Sequence, residues 1–341
     1  LNKLDMIELD KIMNTLVQYN KRNIKVVIHE NLTDEKLAEH LRKLNKNYKK
    51  NNQIMLSLEY SKDYLDKNIF QQTLTNTLKV CGLIISSLVV LVVTYIGISN
   101  YVAFKDVNKI KDDLAKVIED TNTEEIIEKK QEEDKKEAEE NNIPIDSIKL
   151  ISNEKLAALL SVNEDVIGEL KINNTGIEYP VLQTIDNDYY LDHDINKKKS
   201  ISGWIFMDYR TDAMNLSKNN IIYGHSGYYG GVMFGKLYKV ANKSWYTNPE
   251  NQLITYNTLY EDMQFRIFSI YRIPTTTDYL RVNFKDDDDF LNFIDMIKGR
   301  SYYNFNVPVH ADDKILTLST CSDNGTKRLV VHAVLVKNDK S

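Results

Sequence analysis

Polar and apolar residues are distributed in three distinct ways along this chain. Residues 80–98 form an uncharged and mainly apolar run, residues 105–142 are dominated by charged side chains, and short apolar runs separated by turn-forming residues follow from residue 145. A run of this length spans a bilayer as a helix, and a buried core helix is disfavoured because the run is apolar on every face. We therefore predict a transmembrane helix at Val80–Ile98, a charged helical stalk at residues 99–144 and a folded domain at residues 145–341.

The segment before the span, residues 1–79, carries mixed charge and many Asn and Lys residues. Leu37, Leu41 and Leu44 are spaced as on one face of a helix. We therefore expect a small helical or partly disordered segment of unknown role. The first residue is Leu rather than Met, which indicates a fragment of a longer chain or a start nearer Met55.

The stalk is most densely charged at Glu124–Glu140. Such a composition does not bury a core and favours a solvated helix. As one helix, about 37 residues at ~1.5 Å each would hold the next domain about 55 Å from the span. We expect a spacer here rather than a functional site.

The region from residue 145 onward is rich in short, β-branched apolar runs. The predicted strands are, in chain order, Val166–Ile172, Ile177–Gln183, Gly203–Asp208, Asn219–His225, Leu253–Asn257, Met263–Ile273, Ile315–Thr320 and Leu329–Val336. Helices are predicted at Asn153–Leu160, around Val232–Lys239 and at Asp286–Ile297. Many short strands with few helices favour a mainly β fold, a closed antiparallel barrel.

The last two predicted strands place a cysteine beside an arginine. Between them lies Asn324-Gly325, the strongest short hairpin signal. Antiparallel neighbours put the end of one strand and the start of the next at the same end of a sheet, so Cys321 and Arg328 should face one another. A neighbouring cation favours the thiolate form of a cysteine, so this is a reactive-cysteine environment.

Charge and cysteine content narrow the classes of function. A net charge of -5 gives no basic field that would hold nucleic acid. The chain has two cysteines, with Cys81 inside the predicted span, so a disulfide framework is excluded for the folded domain. Lysines flank the span on both sides, and the basic stretch Arg42–Lys50 weakly favours an internal N-terminus. An unpaired Cys321 outside the cell then indicates a functional thiol.

A thiol nucleophile needs a basic or cationic partner, most often histidine. His29 and His40 precede the span and would lie on the other side of the membrane. Surface positions are favoured for His310 and for His193, whose flanking aspartates only faintly indicate a metal site.

Two histidines remain as candidate partners of the thiol. His332 lies in mid-strand on the same pleat face as Arg328, where a core histidine with satisfied hydrogen bonds is favoured. His225 ends a strand and opens into a glycine-rich loop, where side chains can meet a substrate. On spacing alone, a functional and a structural role are equally favoured for His225.

Three motifs together resemble the sortase family of Gram-positive, membrane-anchored cysteine transpeptidases. They are NNIIYGHSG at Asn219–Gly227, TLSTC at Thr317–Cys321 and RLVVHA from Arg328. The resemblance covers about residues 145–337. The segment Asn187–Arg210 and the helix before the last hairpin resemble the class B branch, whose barrel carries that extra helix and further helices at its N-terminus.

The resemblance implies a role for individual residues. Cys321 is the expected nucleophile, His225 the catalytic histidine and Arg328 the contact to the substrate carbonyl. Ser319 and Thr320, just before the cysteine, are expected to contact substrate. Neither cofactor nor metal is implied, and the acidic run at residues 286–289 is expected as the start of a helix rather than as a calcium site.

The resemblance also implies a reaction and its partners. Secreted proteins would be cleaved after Thr of a C-terminal sorting motif through a thioester and joined to a peptidoglycan precursor amine. The enzyme would cross the membrane once, contacting its lipid, with a cytoplasmic N-terminus and an extracellular catalytic domain. A mainly hydrolytic cysteine peptidase and a pilin-polymerising sortase remain open, although no Asp-Pro-aromatic lid segment precedes the barrel. A catalytically idle binding module is disfavoured by the presence of Cys321, His225 and Arg328 together.

Overall fold

The computed structural model describes residues 23–28, 55–60, 62–144, 148–226, 231–322 and 326–337, with isolated residues among 10–15 and 39–46. These belong to two compact units, residues 1–93 and 94–341.

The first unit contains two strands, β1 (Asn23–Ile28) and β2 (Met55–Tyr60), which pair in parallel. The expectation of a helical or partly disordered segment therefore missed these strands. β1 reads NIKVVI, and its β-branched residues favour extended backbone. Leu37 and Leu41, on which the helical spacing depended, lie outside the described residues.

A long helix, α1 (Lys62–Asp120), contains the apolar run Val80–Ile98. Among the described residues, it is the one helix long and apolar enough to cross a membrane. No residue of its most apolar part is buried within the protein. The helix therefore has the length and the exposed apolar surface that a span requires.

The charged segment forms the end of α1 and a second helix, α2 (Glu124–Glu140). Val107 and Leu114 are nevertheless buried in the main core, and the buried Asp134 carboxylate accepts a hydrogen bond from the Tyr260 hydroxyl at 2.7 Å. The segment is helical as expected, but it is two helices and is not solvated on all sides. The separation of about 55 Å assumed one straight, unpacked helix.

After a short helix, α3 (Glu154–Leu160), eight strands in the described part of the chain close into a barrel. The strands are β3 (Val166–Ile172), β4 (Ile177–Leu182), β5 (Phe206–Met207), β6 (Asn219–Gly224), β7 (Leu253–Thr258), β8 (Asp262–Pro274), β9 (Ile315–Ser322) and β10 (Lys327–Leu335). Their order around the barrel is β10-β8-β7-β3-β4-β5-β6-β9. The predicted closed barrel is confirmed.

Six of the eight neighbouring strand pairs are antiparallel, whereas β4–β5 and β6–β9 are parallel. Parallel neighbours need long crossover connections, which residues 183–205 and 225–314 supply. The alternation of apolar residues within a strand does not encode this direction. Predicted strand bounds agree within two residues, except at Gly203–Asp208, where Phe206–Met207 alone is strand.

Two further helices lie between the strands, α4 (Lys243–Tyr246) and α5 (Asp287–Gly299). The predicted helix around Val232–Lys239 is a 3₁₀ helix at Met233–Ala241. Helix α5 is the expected extra helix before the last two strands. Its phenylalanines pack in a second apolar cluster with residues of β8, β9 and β10, on the outside of the barrel.

Candidate active site

Strand β9 lies between β6 and β10, and this arrangement brings the predicted site positions together. In the antiparallel register of β9 and β10, Cys321 is opposite Arg328. In the parallel register of β6 and β9, Gly224 is opposite Thr320, so His225 follows at the position beside Cys321. The cysteine position is therefore flanked by the histidine on one side and the arginine on the other.

A cavity of about 210 Å³ opens where these strand ends meet. It is lined by Asn187, Leu191, Phe206, Tyr223, Gly224, His225, Tyr279, Leu280, Ser319, Thr320 and Arg328. His225, Arg328, Ser319 and Thr320, all predicted from the sequence, thus share one cavity, and Cys321 adjoins it by register. Ser319 is buried, and its hydroxyl is hydrogen-bonded to the Tyr279 hydroxyl at 2.9 Å.

His225 is held at both its main chain and its side chain. Its carbonyl accepts a hydrogen bond from the Phe234 N–H at 3.0 Å, and its Nε2 lies 2.7 Å from the carbonyl oxygen of Leu191. These two contacts fix the imidazole where β6 ends, at the mouth of the cavity.

An ion pair supports the cavity wall next to His225. Arg210 donates through Nε and Nη2 to the two carboxylate oxygens of the buried Asp208, at 2.8 and 2.7 Å. The Tyr223 hydroxyl donates to the same carboxylate at 2.9 Å. Burial alone would raise the pKa of Asp208, but the hydrogen bonds from Arg210 and Tyr223 outweigh it and hold this pKa below its ordinary value. Arg210 also donates to the Leu280 carbonyl at 3.2 Å, which ties this wall to the opposite one.

The opposite wall is carried by the loop between β8 and α5, and a buried asparagine holds that loop. Asn219, at the start of β6, donates through Nδ2 to the carbonyl of Arg281 at 2.7 Å and, more weakly, to that of Tyr279 at 3.5 Å. Its Oδ1 accepts from the Thr317 hydroxyl at 2.6 Å. Because Asn219 is fully buried, the main chain beside Tyr279 and Leu280 has a fixed position.

His332 continues this hydrogen-bonded chain away from the cavity. Thr317 gives its proton to Asn219, so His332 Nδ1 must donate to the Thr317 oxygen at 2.8 Å. His332 Nε2 then accepts from the Tyr271 hydroxyl at 2.9 Å. Complete burial, with a smaller contribution from the positive charge of Arg300, lowers the pKa of His332 to about 3. The prediction of a satisfied core histidine is confirmed.

The other two histidines of the folded domain, His310 and His193, are not among the residues that line the cavity. His310 is exposed, as expected. His193 is only 16% exposed, because its ring stacks on Tyr189 at 4.1 Å and its Nδ1 lies 2.7 Å from Asp192 Oδ1. The expectation of a solvated side chain was therefore wrong for His193.

The acidic run has the structural role expected at a helix start. Asp286 caps α5 by accepting from the Asp289 N–H at 2.9 Å, and Asp289 pairs with Arg281. Within the described ranges, no three His, Cys, Asp or Glu side chains cluster as a metal site would need.

Several lining residues were missed from the sequence. Tyr223 had a signal, because it lies two residues before His225 and strand alternation puts both on one face. Leu191 and Tyr279 lie on loops, where no periodicity predicts which side chains meet a cavity.

Comparisons with known proteins match the barrel. A family profile described as "Sortase domain" matches residues 170–336. Sortase B of Staphylococcus aureus is 37% identical over 184 residues, which are 53% of this chain and 74% of that protein. Sortase B of Listeria monocytogenes is 37% identical over 186 residues, which are 54% of this chain and 74% of that protein.

Solved structures match the same region. A substrate complex of Staphylococcus aureus sortase B has a TM-score of 0.51 and 32% identity, covering 62% of this chain and 95% of that one. Sortase B of Bacillus anthracis has a TM-score of 0.51 and 34% identity, covering 59% of this chain and 94% of that one. Nearly the whole of each solved chain is therefore matched by this protein.

Proposed function

Because this chain belongs to the sortase family of cysteine transpeptidases and has class B relatives, we propose that it anchors secreted proteins to the cell wall. Its substrates would be proteins with a C-terminal sorting motif, cleaved after a Thr residue. The acceptor would be an amine of a peptidoglycan precursor. The observation that carries the proposal is the register of β9, which puts the Cys321 position between His225 and Arg328 at one cavity.

The first half of the reaction is acyl transfer to Cys321. The thiol gives its proton to His225, and the thiolate sulfur attacks the Thr carbonyl of the motif. As the C–N bond breaks, the imidazolium returns the proton to the departing amine and leaves a thioester. The neighbours of position 321 support this place for the attack, because Ser319, Thr320 and Arg328 line the cavity beside it.

Arg328 would stabilise the charge that develops in this step. It lies opposite the cysteine position and lines the cavity. A guanidinium donates two parallel hydrogen bonds and stays charged at any physiological pH, which suits a developing oxyanion. Ser319 and Thr320, which line the same cavity, would contact the substrate before the scissile bond.

In the second half of the reaction, the acceptor amine attacks the thioester carbonyl. The new C–N bond forms as the C–S bond breaks, and the amine proton passes through His225 to the departing sulfur. Water in place of the amine would give hydrolysis from the same intermediate, so the choice depends on which nucleophile reaches the cavity.

The proposed setting is the outer face of a membrane. The run at Val80–Ile98 would cross the bilayer once, with residues 1–79 inside the cell and the barrel domain outside. In this setting the partners are secreted substrate proteins, a cell-wall amine and membrane lipid. The catalytic domain would start at residue 145, and residues of α1 and α2 would pack against its core.

The test is to incubate the full chain in detergent with a library of peptides containing candidate sorting motifs, with and without a peptide amine. Mass spectrometry should detect cleavage after Thr and an amide product when the amine is present. Cys321→Ala should abolish both products, whereas Cys81→Ala, in the apolar part of α1, should change neither. Turnover by the Cys321→Ala variant would exclude the covalent mechanism, and cleavage that never yields amide would favour the hydrolytic peptidase.

A further inference from the structure

The hydrogen-bond partner of the His225 side chain is a main-chain atom. His225 Nε2 lies 2.7 Å from the carbonyl oxygen of Leu191, which ends a 3₁₀ turn, Tyr189–Leu191, in the loop between β4 and β5. A carbonyl oxygen can only accept, so Nε2 must carry a proton. In the neutral imidazole, Nδ1 is then the nitrogen that can accept a proton.

Gly203 lies directly against this carbonyl. Its φ is +53°, in the left-handed region that favours glycine. A methyl group on Gly203 would be 2.5 Å from the Leu191 oxygen and 2.8 Å from its carbonyl carbon, and closer still to the Tyr190 oxygen. These are main-chain atoms that cannot rotate away as a flexible side chain would. A larger residue at this position must therefore displace the Leu191 carbonyl or the chain around residue 203.

The rest of the turn is anchored independently. Tyr190 is 1% exposed, and its hydroxyl donates to Asp165 at 2.6 Å and accepts from the Asn163 side chain at 2.8 Å. The Trp204 N–H donates to the Tyr190 carbonyl at 2.9 Å. These contacts fix the turn on the barrel. The close approach between the turn and Gly203 therefore sets the position of the Leu191 carbonyl.

We propose that the Leu191 carbonyl and Gly203 form a positioning pair for the catalytic histidine. The pair keeps the proton on Nε2 of His225 and aims Nδ1 at the Cys321 position. Nδ1 is then the nitrogen that takes the thiol proton and returns it to the departing amine. This inference rests on the proposed function and adds which nitrogen works and what holds it.

A main-chain carbonyl suits this task for a physical reason. It orients the imidazole and stabilises the charged form by a hydrogen bond, but it cannot itself take the proton, as a carboxylate could. A displacement of about 1 Å in such a group can lower a rate about 10²-fold, because proton transfer depends steeply on geometry.

The charged and titratable groups around His225 must be considered in any pH measurement. Tyr223, Tyr279 and Arg328 line its cavity, Cys321 adjoins it by register, and Asp192 and His193 follow Leu191 on the supporting loop. Asp192 pairs with His193 and Lys199, so the loop carries its own charge partners. None of these side chains is changed by the substitutions below.

The experiment compares Gly203→Ala with Gly176→Ala in the full chain carrying Cys81→Ala, so that one thiol remains. Gly176 also has a positive φ, +80°, but a methyl group there would meet no atom nearer than 3.5 Å, the flexible end of Lys236. Both substitutions therefore strain the backbone, but only Gly203→Ala puts a methyl group against the Leu191 carbonyl. We expect Gly203→Ala to lower kcat for a motif peptide about 10²-fold, while Gly176→Ala keeps the parental kcat.

A third variant separates the Leu191 carbonyl from its side chain. Leu191→Ala removes a cavity-lining side chain but keeps the main chain, so it should raise KM more than it lowers kcat. Gly203→Ala should do the reverse. Equal kcat in Gly203→Ala and its parent would overturn the inference while leaving the proposed function intact.

Two measurements do not depend on peptide cleavage. The rate of Cys321 alkylation by iodoacetamide, followed against pH, reports the thiolate, and its profile should shift in Gly203→Ala but not in Gly176→Ala. Nitrogen-15 NMR of histidine-labelled parent chain, assigned with His225→Ala, should show Nε2 as the protonated nitrogen of neutral His225. Because this NMR measurement uses the parent chain, it tests the inference even if Gly203→Ala does not fold. A proton on Nδ1 instead, or an unchanged alkylation profile in folded Gly203→Ala, would refute the positioning pair whether or not the chain cleaves peptides.

Discussion

Two histidines lie on either side of β9 in very different surroundings. His225 follows β6 at the open mouth of the cavity, beside the Cys321 position, and its side chain meets a main-chain carbonyl. His332 lies opposite Thr317 on the other neighbouring strand, fully buried and bonded to two side-chain hydroxyls. Four residues along one strand therefore separate an imidazole at the cavity mouth from one that is sealed in the core.

The two histidines therefore differ in their surroundings and not in residue type. Burial removes the water that would stabilise an imidazolium and lowers the pKa of His332 to about 3, so its side chain is neutral at physiological pH. An imidazole that stays neutral throughout the physiological range has no imidazolium proton to give to a leaving amine. Its hydrogen bonds instead extend the network through which Asn219 holds the cavity wall.

The largest expected effect is that of His225→Ala. Thiolate stabilisation and general acid catalysis are lost together, so kcat/KM should fall by about 10³-fold or more. The melting temperature should change little, because the imidazole is only partly buried. Turnover of one motif peptide and thermal unfolding are measured together. An active His225→Ala alongside an inactive but stable His332→Ala would reverse the assignment of the catalytic histidine.

Arg328→Lys should give the next largest loss of activity, about 10²-fold in kcat. Lysine keeps the positive charge but lacks the planar pair of donors that aligns a carbonyl. Arg272→Lys is the matched control, because Arg272 is an exposed arginine on the adjacent β8, opposite Leu329. Steady-state turnover of the same peptide compares them. If both variants keep the parental kcat, a charge alone is sufficient at position 328.

His332→Ala should act on stability rather than on catalysis. It removes a buried ring and leaves the Thr317 and Tyr271 hydroxyls with lost partners, at a cost of about 3 kcal/mol. Thermal unfolding should show a clear drop in melting temperature, while kcat of the folded enzyme stays near the parental value. A loss of kcat comparable to that of His225→Ala, without a drop in melting temperature, would contradict a structural role.

The smallest effect at neutral pH concerns the pH dependence of stability. The pKa of His332 is about 3 in the folded chain, against an ordinary 6.5, so the unfolded chain binds more protons between these values. The contribution of His332 is therefore complete above pH 6.5 and is lost as the pH falls toward 3, by about 1.4 kcal/mol per pH unit. Unfolding of the parent and of His332→Gln, compared across this window, should show a shallower slope for the variant. Parallel curves would mean that the pKa of His332 is the same in the folded and the unfolded chain.

The sequence alone predicted most strands of the barrel and the pairing of Cys321 with Arg328 at its last hairpin. Period-two runs of β-branched residues predicted β3, β4 and β6 to β10 because a half-buried strand imposes that alternation locally. The cysteine and arginine were paired because a hairpin brings together residues that are close in the chain. The apolar run of α1 was likewise predicted from its own length and composition, without reference to any distant segment.

Tertiary structure decided what depends on distant segments. Val107 and Leu114 lie in a segment whose many charged residues obscured its apolar face. That face is buried because it packs in the main core with residues of the barrel. The parallel pairing of β6 with β9, which sets His225 beside Cys321, follows from a long crossover that no local pattern records. The approach of Gly203 to the Leu191 carbonyl is likewise invisible in the sequence, because a main-chain contact between two loops depends on where the whole fold places them.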